Sequence, residues 1–127
     1  MKDIHLLTSG EFFKIYLGTE HEDMDCWGLI REFYLRVLGK DLPEYYKNRP
    51  RCKDVITKYV TEESSNYYRV DTPQLGDIIL IKLFGVPLHV GLYLDEKKFA
   101  HSIETHGVVV DEVSRWKNRF EGYYRPK

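Results

Sequence analysis

Apolar positions change their spacing about halfway along the chain. Between about Cys26 and Leu38 they recur at three- and four-residue steps, which predicts one face of a helix. Asp25 is suited to cap the N-terminus of this helix, and Gly39 is suited to follow its C-terminus. The apolar face would comprise Leu29, Ile30, Phe33, Val37 and Leu38.

The same pattern predicts a second helix from about Arg51 to Glu63, with Pro50 in its first turn. After Gly76 the chain turns β-rich, in short runs bounded by turn residues. Helices followed by strands indicate an α+β fold, with N-terminal helices packed on an antiparallel β-sheet. The predicted strands cover residues 77–83, 88–94, 98–102, 108–113 and 122–125, with a short helical turn at 116–119.

Composition limits what such a fold can do. The chain has 127 residues, 43% of them hydrophobic, which fits one domain over residues 1–127 with one core. A net charge of −1 and scattered basic residues argue against nucleic acid or an anionic membrane as a partner. The N-terminal residues lack the pattern of a signal peptide, so we expect synthesis in the cytoplasm. The apolar runs are too short to span a bilayer.

Three residues have the chemistry of a nucleophilic site. Cys26 would start the first predicted helix, where the positive end of the helix dipole favours a thiolate and backbone N–H groups can hold an oxyanion. His89 and His101 fall on neighbouring predicted strands, which would fix their rings. If the strands pair as a hairpin, both imidazoles can face one side, with His89 as the base and His101 orienting it.

Other readings of these residues are open. A single cysteine or histidine is often a packed or hydrogen-bonded core residue. Cys26, His89, His101 and His21 could together bind zinc, but the sequence has no short ligand pair, so we expect no metal. A disulfide between Cys26 and Cys52 is possible, although the absence of any export signal favours two free thiols.

With these residues in view, the chain resembles the NlpC-type cysteine peptidases, papain-like enzymes that hydrolyse cell-wall peptides. The resemblance runs from about Tyr16 to Arg125. Trp27 after the cysteine, with the stretch from Tyr34 to Tyr45, is similar to the branch found in bacteriophage tail-assembly proteins. The matching segments are Asp25-Cys26-Trp27-Gly28-Leu29, Gly76-Asp77-Ile78-Ile79-Leu80, His89-Val90-Gly91-Leu92-Tyr93 and Ala100-His101-Ser102.

The resemblance implies a role for each matching position. Cys26 would be the nucleophile, His89 the general base and acid, and His101 the residue that orients His89. Tyr16 is similar to a tyrosine whose hydroxyl lies near the catalytic site in that family. The candidate substrate-binding residues are Tyr16, Asp25, Trp27 and Gly28. No cofactor is implied.

The implied reaction is hydrolysis of peptidoglycan stem peptides, at the bond between γ-D-glutamate and a diamino acid. The implied setting is a phage tail or virion, with other tail proteins as candidate partners. A competing interpretation is a non-catalytic tail-assembly protein that retains the papain-like fold. A lecithin-retinol-acyltransferase-like enzyme is a weaker alternative, because those proteins place the histidine strand before the cysteine helix, the reverse of the order here.

Overall fold

A computed structural model describes residues 6–43 and 66–127 of the chain. Helix α1 covers Ser9–Tyr16 and α2 covers Cys26–Phe33, followed directly by a π-helical turn at Tyr34–Leu38. The second predicted helix, residues 51–63, lies outside the described residues. None of the helices in the described ranges has the length and apolar run that crossing a bilayer requires.

The second half of the chain forms one six-stranded sheet. The strands are β1 Tyr67–Val70, β2 Ile78–Leu83, β3 Val86–Tyr93, β4 Lys98–Ile103, β5 Gly107–Glu112 and β6 Phe120–Pro126. They lie in the order β1-β6-β2-β3-β4-β5, and all neighbouring strands are antiparallel. A short helix α3, Val113–Trp116, and a 3₁₀ turn, Lys117–Arg119, connect β5 to β6. The predicted α+β class, helices against an antiparallel sheet, is therefore confirmed.

Helix α2 begins where the sequence predicts, and the π-helical turn that continues it ends at the predicted C-terminus, Leu38. The Asp25 carboxylate accepts a hydrogen bond from the Gly28 N–H at 2.8 Å, which satisfies one of the first-turn donors. At the other end, the Tyr34 carbonyl accepts from the N–H groups of both Gly39 and Lys40, so the last turn is wider than an α-turn. Gly39 takes the left-handed conformation, with φ of 69°.

Two elements lie outside the predicted set. Helix α1 begins with a capping box, in which the Thr8 hydroxyl accepts from the Glu11 N–H and the Glu11 carboxylate accepts from the Thr8 N–H. It buries Phe12 and Phe13. Among the strands that the structure describes, β1 lies at the edge of the sheet and pairs with β6 alone.

The sheet is apolar on both faces. One face of β2 and the strands beside it pack with α1 and α2, and the other packs with α3 and the turn before β6. Neighbours along β2 therefore belong to different clusters: Ile78 and Leu80 face the N-terminal helices, and Ile79 and Ile81 face away from them. The continuous apolar run of β2 reflects burial on both sides.

The loop before α2 is hydrogen-bonded to the outer edge of the sheet. The Gly18 N–H donates to the Val108 carbonyl, and the Val108 N–H donates to the Thr19 carbonyl, each at 2.9 Å. Gly107 makes this approach possible, because an added Cβ would lie 2.1 Å from the Thr19 oxygen. Its φ of 69° also favours glycine.

A buried ion pair fixes the start of β2 to β6. Asp77 is 1% exposed, and its two carboxylate oxygens accept from Nε and Nη2 of Arg125, both at 2.7 Å. The Gln74 N–H donates to the same carboxylate at 2.8 Å. Removing the acid would leave a partly buried guanidinium without its partner.

We predict that Asp77→Ala lowers the free energy of unfolding by about 3 kcal/mol, because it leaves the guanidinium of Arg125 without its partner. Urea denaturation would measure the loss. The matched control is Lys82→Ala, which removes an exposed pair with Glu121 at 3.3 Å and should cost only about 0–1 kcal/mol. Equal losses in the two variants would contradict the assignment.

Candidate active site

Three polar side chains on adjacent strands form a hydrogen-bonded chain. Nε2 of His89 lies 2.9 Å from Nδ1 of His101, and Nε2 of His101 lies 2.8 Å from Oδ2 of Asp111. His89 is 7% exposed and His101 is fully buried. The structure thus brings together the two histidines selected from the sequence and adds a carboxylate to them.

Strand register explains why these side chains meet. In the β4–β5 pair, Phe99 lies opposite Asp111 and His101 opposite Val109, so Asp111 and His101 are diagonal neighbours on one face. In the β3–β4 pair, Tyr93 lies opposite Phe99, and the two-residue period places His89 on the same face. Alternation along three strands is enough to bring the three groups to one side.

Aromatic rings hold His101 in place. Its ring centroid lies 4.7 Å from that of Phe99 and 4.8 Å from that of Trp116, which approaches edge-on. Trp116 comes from α3, so the helix after β5 closes over the ring that β4 presents. The imidazole therefore has little freedom to turn away from its two hydrogen-bond partners.

Burial makes both imidazoles poor proton acceptors from solvent. Loss of hydration, followed by repulsion from His101 and His21, lowers the pKa of His89 to about 3. Burial also lowers the pKa of His101, against the opposing effect of the Asp111 hydrogen bond and charge. Both rings are consequently neutral at neutral pH, and a neutral imidazole carries one lone pair available as a base.

Cys26 is the first residue of α2, and α2 packs against β3 and β4, the strands of the two histidines. The side chain is 1% exposed and belongs to the apolar cluster that contains Val90 and Ala100, the sequence neighbours of those histidines. The fold therefore places α2 on the strands that carry the histidines, on the face to which Val90 and Ala100 point. His89 and His101 alternate to the opposite face of those strands, so contact between the Cys26 sulfur and either imidazole stays a prediction.

The sulfur of Cys26 is in a disulfide, so the prediction of two free thiols is wrong for this residue. The chain's other cysteine, Cys52, lies outside the described residues. That prediction rests on the number of cysteines and on the residue pattern of the N-terminal stretch. Neither reports how near two sulfurs come in the folded chain, which is what decides whether they can bond.

The residues around Cys26 are occupied in shaping the helix start. Asp25 is the cap, and a Cβ on Gly28 would lie 2.9 Å from the capping oxygen, so glycine makes room for the carboxylate. Trp27 is 1% exposed, and its Nε1–H donates to the Pro43 carbonyl at 3.0 Å. Contact of Asp25, Trp27 and Gly28 with a substrate stays a prediction.

Tyr16 lies near the other end of α2. Its hydroxyl donates to the Glu32 carboxylate at 2.6 Å, and its ring packs 4.5 Å from that of Phe12. Glu32 follows Cys26 by six residues, which is about 9 Å along a helix axis. The substrate-binding role of Tyr16 stays a prediction, and the hydroxyl is engaged with an acid of the helix.

Two residues that the sequence does not single out as members of a nucleophilic site bear on it. Asp111 is the acid at the end of the run Val108-Val109-Val110, and only the strand register shows that it points at His101. His21, which the sequence offers only as a possible zinc ligand, has a charge that helps to lower the pKa of His89. His21 also borders a cavity of about 490 Å³, lined by Glu20, His21, Glu22, Glu104, Thr105, His106 and Gly107.

Among residues 6–43 and 66–127, no group of three or more histidine, cysteine and acidic side chains is arranged to hold a metal ion. Within the same ranges, every buried side-chain nitrogen and oxygen has a hydrogen-bond partner. In the His89–His101–Asp111 chain, both ring nitrogens of the fully buried His101 are satisfied.

The lowered pKa of His89 predicts that stability rises with pH between about 3 and 6.5. An unfolded histidine has a pKa of about 6.5, so in this range the unfolded chain binds more protons than the folded one. For His89 alone, each pH unit below 6.5 should cost about 1.4 kcal/mol of unfolding free energy. Urea denaturation at pH 7.0, 6.0 and 5.0 would measure this slope.

His89→Gln should flatten the slope, and His106→Gln, at an exposed histidine, should keep it. The window above pH 5 is chosen because most carboxylates titrate below it. A wild-type slope that both variants reproduce would show that His89 is not the group responsible.

The chain is similar in sequence to known bacterial proteins. The chain is 22% identical over 105 residues to the murein DD-endopeptidase MepS/murein LD-carboxypeptidase of Escherichia coli strain K12, and matches the same protein of E. coli O157:H7 equally well. The alignment covers 81% of this chain and 50% of the relative. The chain therefore spans about half the length of the curated relatives it matches.

A solved structure shares the fold. A lipoprotein-like protein of the NLP/P60 family from Staphylococcus aureus subsp. aureus Mu50 superposes with a TM-score of 0.61 at 20% identity, over 98% of this chain and 44% of that one. The NlpC/P60 family pattern matches residues 13–125, nearly the whole chain. With helices packed on an antiparallel sheet and a match of this extent, the chain belongs to the NlpC/P60 family.

Proposed function

We propose that this protein is a cysteine peptidase that hydrolyses peptidoglycan stem peptides. The observation that carries the proposal is the buried pair of histidines, joined Nε2 to Nδ1 at 2.9 Å, on the strands against which the Cys26 helix packs. A nucleophile at a helix start with an oriented imidazole on the adjoining sheet is an arrangement suited to acyl transfer. The E. coli relative is named as a murein endopeptidase, which supports the same class of substrate.

The reaction proceeds in two steps. Neutral His89 takes the proton of the Cys26 thiol as the sulfur attacks the amide carbonyl, and the first turn of α2 stabilises the resulting oxyanion. The C–N bond then breaks, and His89 gives its proton to the departing amine. Water, deprotonated by His89, cleaves the thioester, which releases the acid and restores the thiol.

The disulfide at Cys26 means that the enzyme must be reduced before it can act. A sulfur already bonded to another sulfur carries no proton to transfer and is not a nucleophile toward an amide. An external thiolate can release it by thiol–disulfide exchange. We therefore regard the oxidised form described here as a dormant state of the enzyme.

The bond that we propose is the one between γ-D-glutamate and a diamino acid, as the family resemblance implies. We further propose that the protein acts as a component of a phage tail or prophage. The ground for this is the resemblance of Trp27, and of the stretch from Tyr34 to Tyr45, to tail-assembly proteins; within the fold, the Trp27 Nε1–H donates to the Pro43 carbonyl of that stretch. Arg31 Nε also donates to the Leu42 carbonyl at 2.8 Å, so the same stretch is fixed to the cysteine helix.

We expect Cys26→Ala to abolish hydrolysis of purified stem peptides, because no other group in the site supplies the nucleophile. Digestion followed by mass spectrometry would identify both the loss and the bond cleaved by the wild type. Cys52→Ala is the matched control, since it removes a cysteine but keeps the proposed nucleophile. Full activity in Cys26→Ala would end the assignment.

We also expect no turnover without reductant and full turnover after treatment with dithiothreitol. After reduction, Cys26 should react with iodoacetamide well below pH 8 and faster than Cys52, because the positive end of the α2 dipole favours its thiolate. A reduced protein that stays inactive, with both thiols alkylating alike at high pH, would favour the alternative role in tail assembly without catalysis.

A further inference from the structure

The chain of polar groups ends in a carboxylate at Asp111. Its Oδ2 lies 2.8 Å from Nε2 of His101, and the Asp111 side chain is 32% exposed while that of His101 is fully buried. The carboxylate therefore meets solvent on one side and a buried imidazole on the other. The contact between His89 and His101 can form without a carboxylate, so the presence of Asp111 needs its own explanation.

The carboxylate dictates where the protons lie. An ionised carboxylate only accepts hydrogen bonds, so Nε2 of His101 must carry a proton and donate it. In a neutral ring the other nitrogen, Nδ1, then has the lone pair. The 2.9 Å contact with His89 must therefore run from the His89 Nε2–H to His101 Nδ1. In a neutral His89 this leaves Nδ1 as the unprotonated nitrogen.

We propose that Asp111 is a positioning residue that sets the tautomers of both histidines, so that Nδ1 of His89 is the base for the Cys26 thiol. This inference rests on the proposed function for its catalytic consequence. The tautomers themselves follow from the hydrogen bonds alone. Asp111 acts through His101 and touches neither sulfur nor substrate.

The same arrangement suits the moment of proton transfer. When His89 takes the Cys26 proton at Nδ1, its ring becomes a cation whose Nε2–H still points to His101. No hydrogen bond in the chain has to reverse. The negative charge of Asp111, one ring away, favours the cation, and the Asp111 bond and charge already act to raise the pKa of His101 against burial.

Among the described groups around His89 and His101, Asp111 is the one that can balance a positive charge on His89. Phe99 and Trp116 flank the His101 ring and are apolar, and His21, the further group acting on His89, opposes a positive charge there. Glu112, the next acid along β5, is engaged with Arg115 at 2.8 Å, so it offers a matched control at the adjacent position.

The first experiment measures tautomers without any substrate. In protein labelled with ¹⁵N-histidine, long-range ¹H–¹⁵N spectra at neutral pH should show His89 and His101 both protonated at Nε2 and not at Nδ1. In Asp111→Ala, His101 should lose this preference, and in the near-isosteric Asp111→Asn the Nε2 and Nδ1 signals should shift. Glu112→Gln should leave the spectrum unchanged.

The second experiment measures the reduced enzyme on stem peptides. Asp111→Ala should lower kcat roughly ten- to a hundredfold, less than the about 10⁴-fold seen when a directly orienting carboxylate is replaced, because one more ring intervenes. KM should change less than twofold. The acid limb of the kcat profile should move to lower pH, since the carboxylate that favours protonation of the pair is gone. Glu112→Gln should match the wild type in all three.

The outcomes separate the two proposals. An active wild type whose Asp111 variants fold, keep kcat and the acid limb, and keep both tautomers would overturn the role of Asp111 and leave the proposed function standing. An inactive wild type that still shows Nε2–H on both rings, lost in Asp111→Ala, would overturn the proposed function while supporting Asp111 as the group that sets the tautomers. Far-UV circular dichroism confirms folding of each variant.

Discussion

The structure depends on one constraint: two imidazoles are buried side by side, and each must find hydrogen-bond partners without water. Burial of a polar group without a partner costs about 1–3 kcal/mol. The buried pair is stable because the two rings hydrogen-bond to each other and Asp111 accepts a hydrogen bond from His101. The fixed directions of these bonds make the rings chemically distinct. One nitrogen of His89, Nε2, is engaged in these bonds, whereas both nitrogens of His101 are engaged.

The sheet provides this arrangement through registers that are themselves set by apolar burial. Each strand that carries a polar member of the chain also carries residues packed toward the helices, such as Val90 on β3 and Ala100 on β4. A one-residue slip would turn these apolar side chains away from the helices and the histidines toward them. The packing that secures the fold therefore also secures the site.

Much of this could be predicted from the sequence, and the failures have physical causes. The helical stretch from Cys26 to Leu38, with Asp25 before its start and Gly39 after its end, follows from local periodicity and capping, both of which a short window contains. Helix α1 has the capping pattern Thr8 to Glu11, but only eight residues, too few for periodicity to stand out. β3 begins at Val86, two residues before the predicted start, since hairpin turns can be tighter than composition suggests.

The less predictable features are long-range. Asp111 reaches His101 through a register that no local pattern encodes, and the disulfide at Cys26 depends on a separation through space. The prediction of one domain over residues 1–127 is not tested by the described ranges. The chemistry of the residue types points to Cys26, His89 and His101. The hydrogen-bond partners of the two histidines depend on the tertiary fold.

The hydrogen bonds of the loop before α2 have a consequence for how the molecule meets other copies of itself. An edge strand with unpaired backbone groups is a template for another chain. Here the loop occupies part of the β5 edge at Val108, and the close approach that Gly107 allows leaves no room there for a foreign strand. The segment that leads to Cys26 thus also shields part of the sheet from intermolecular pairing.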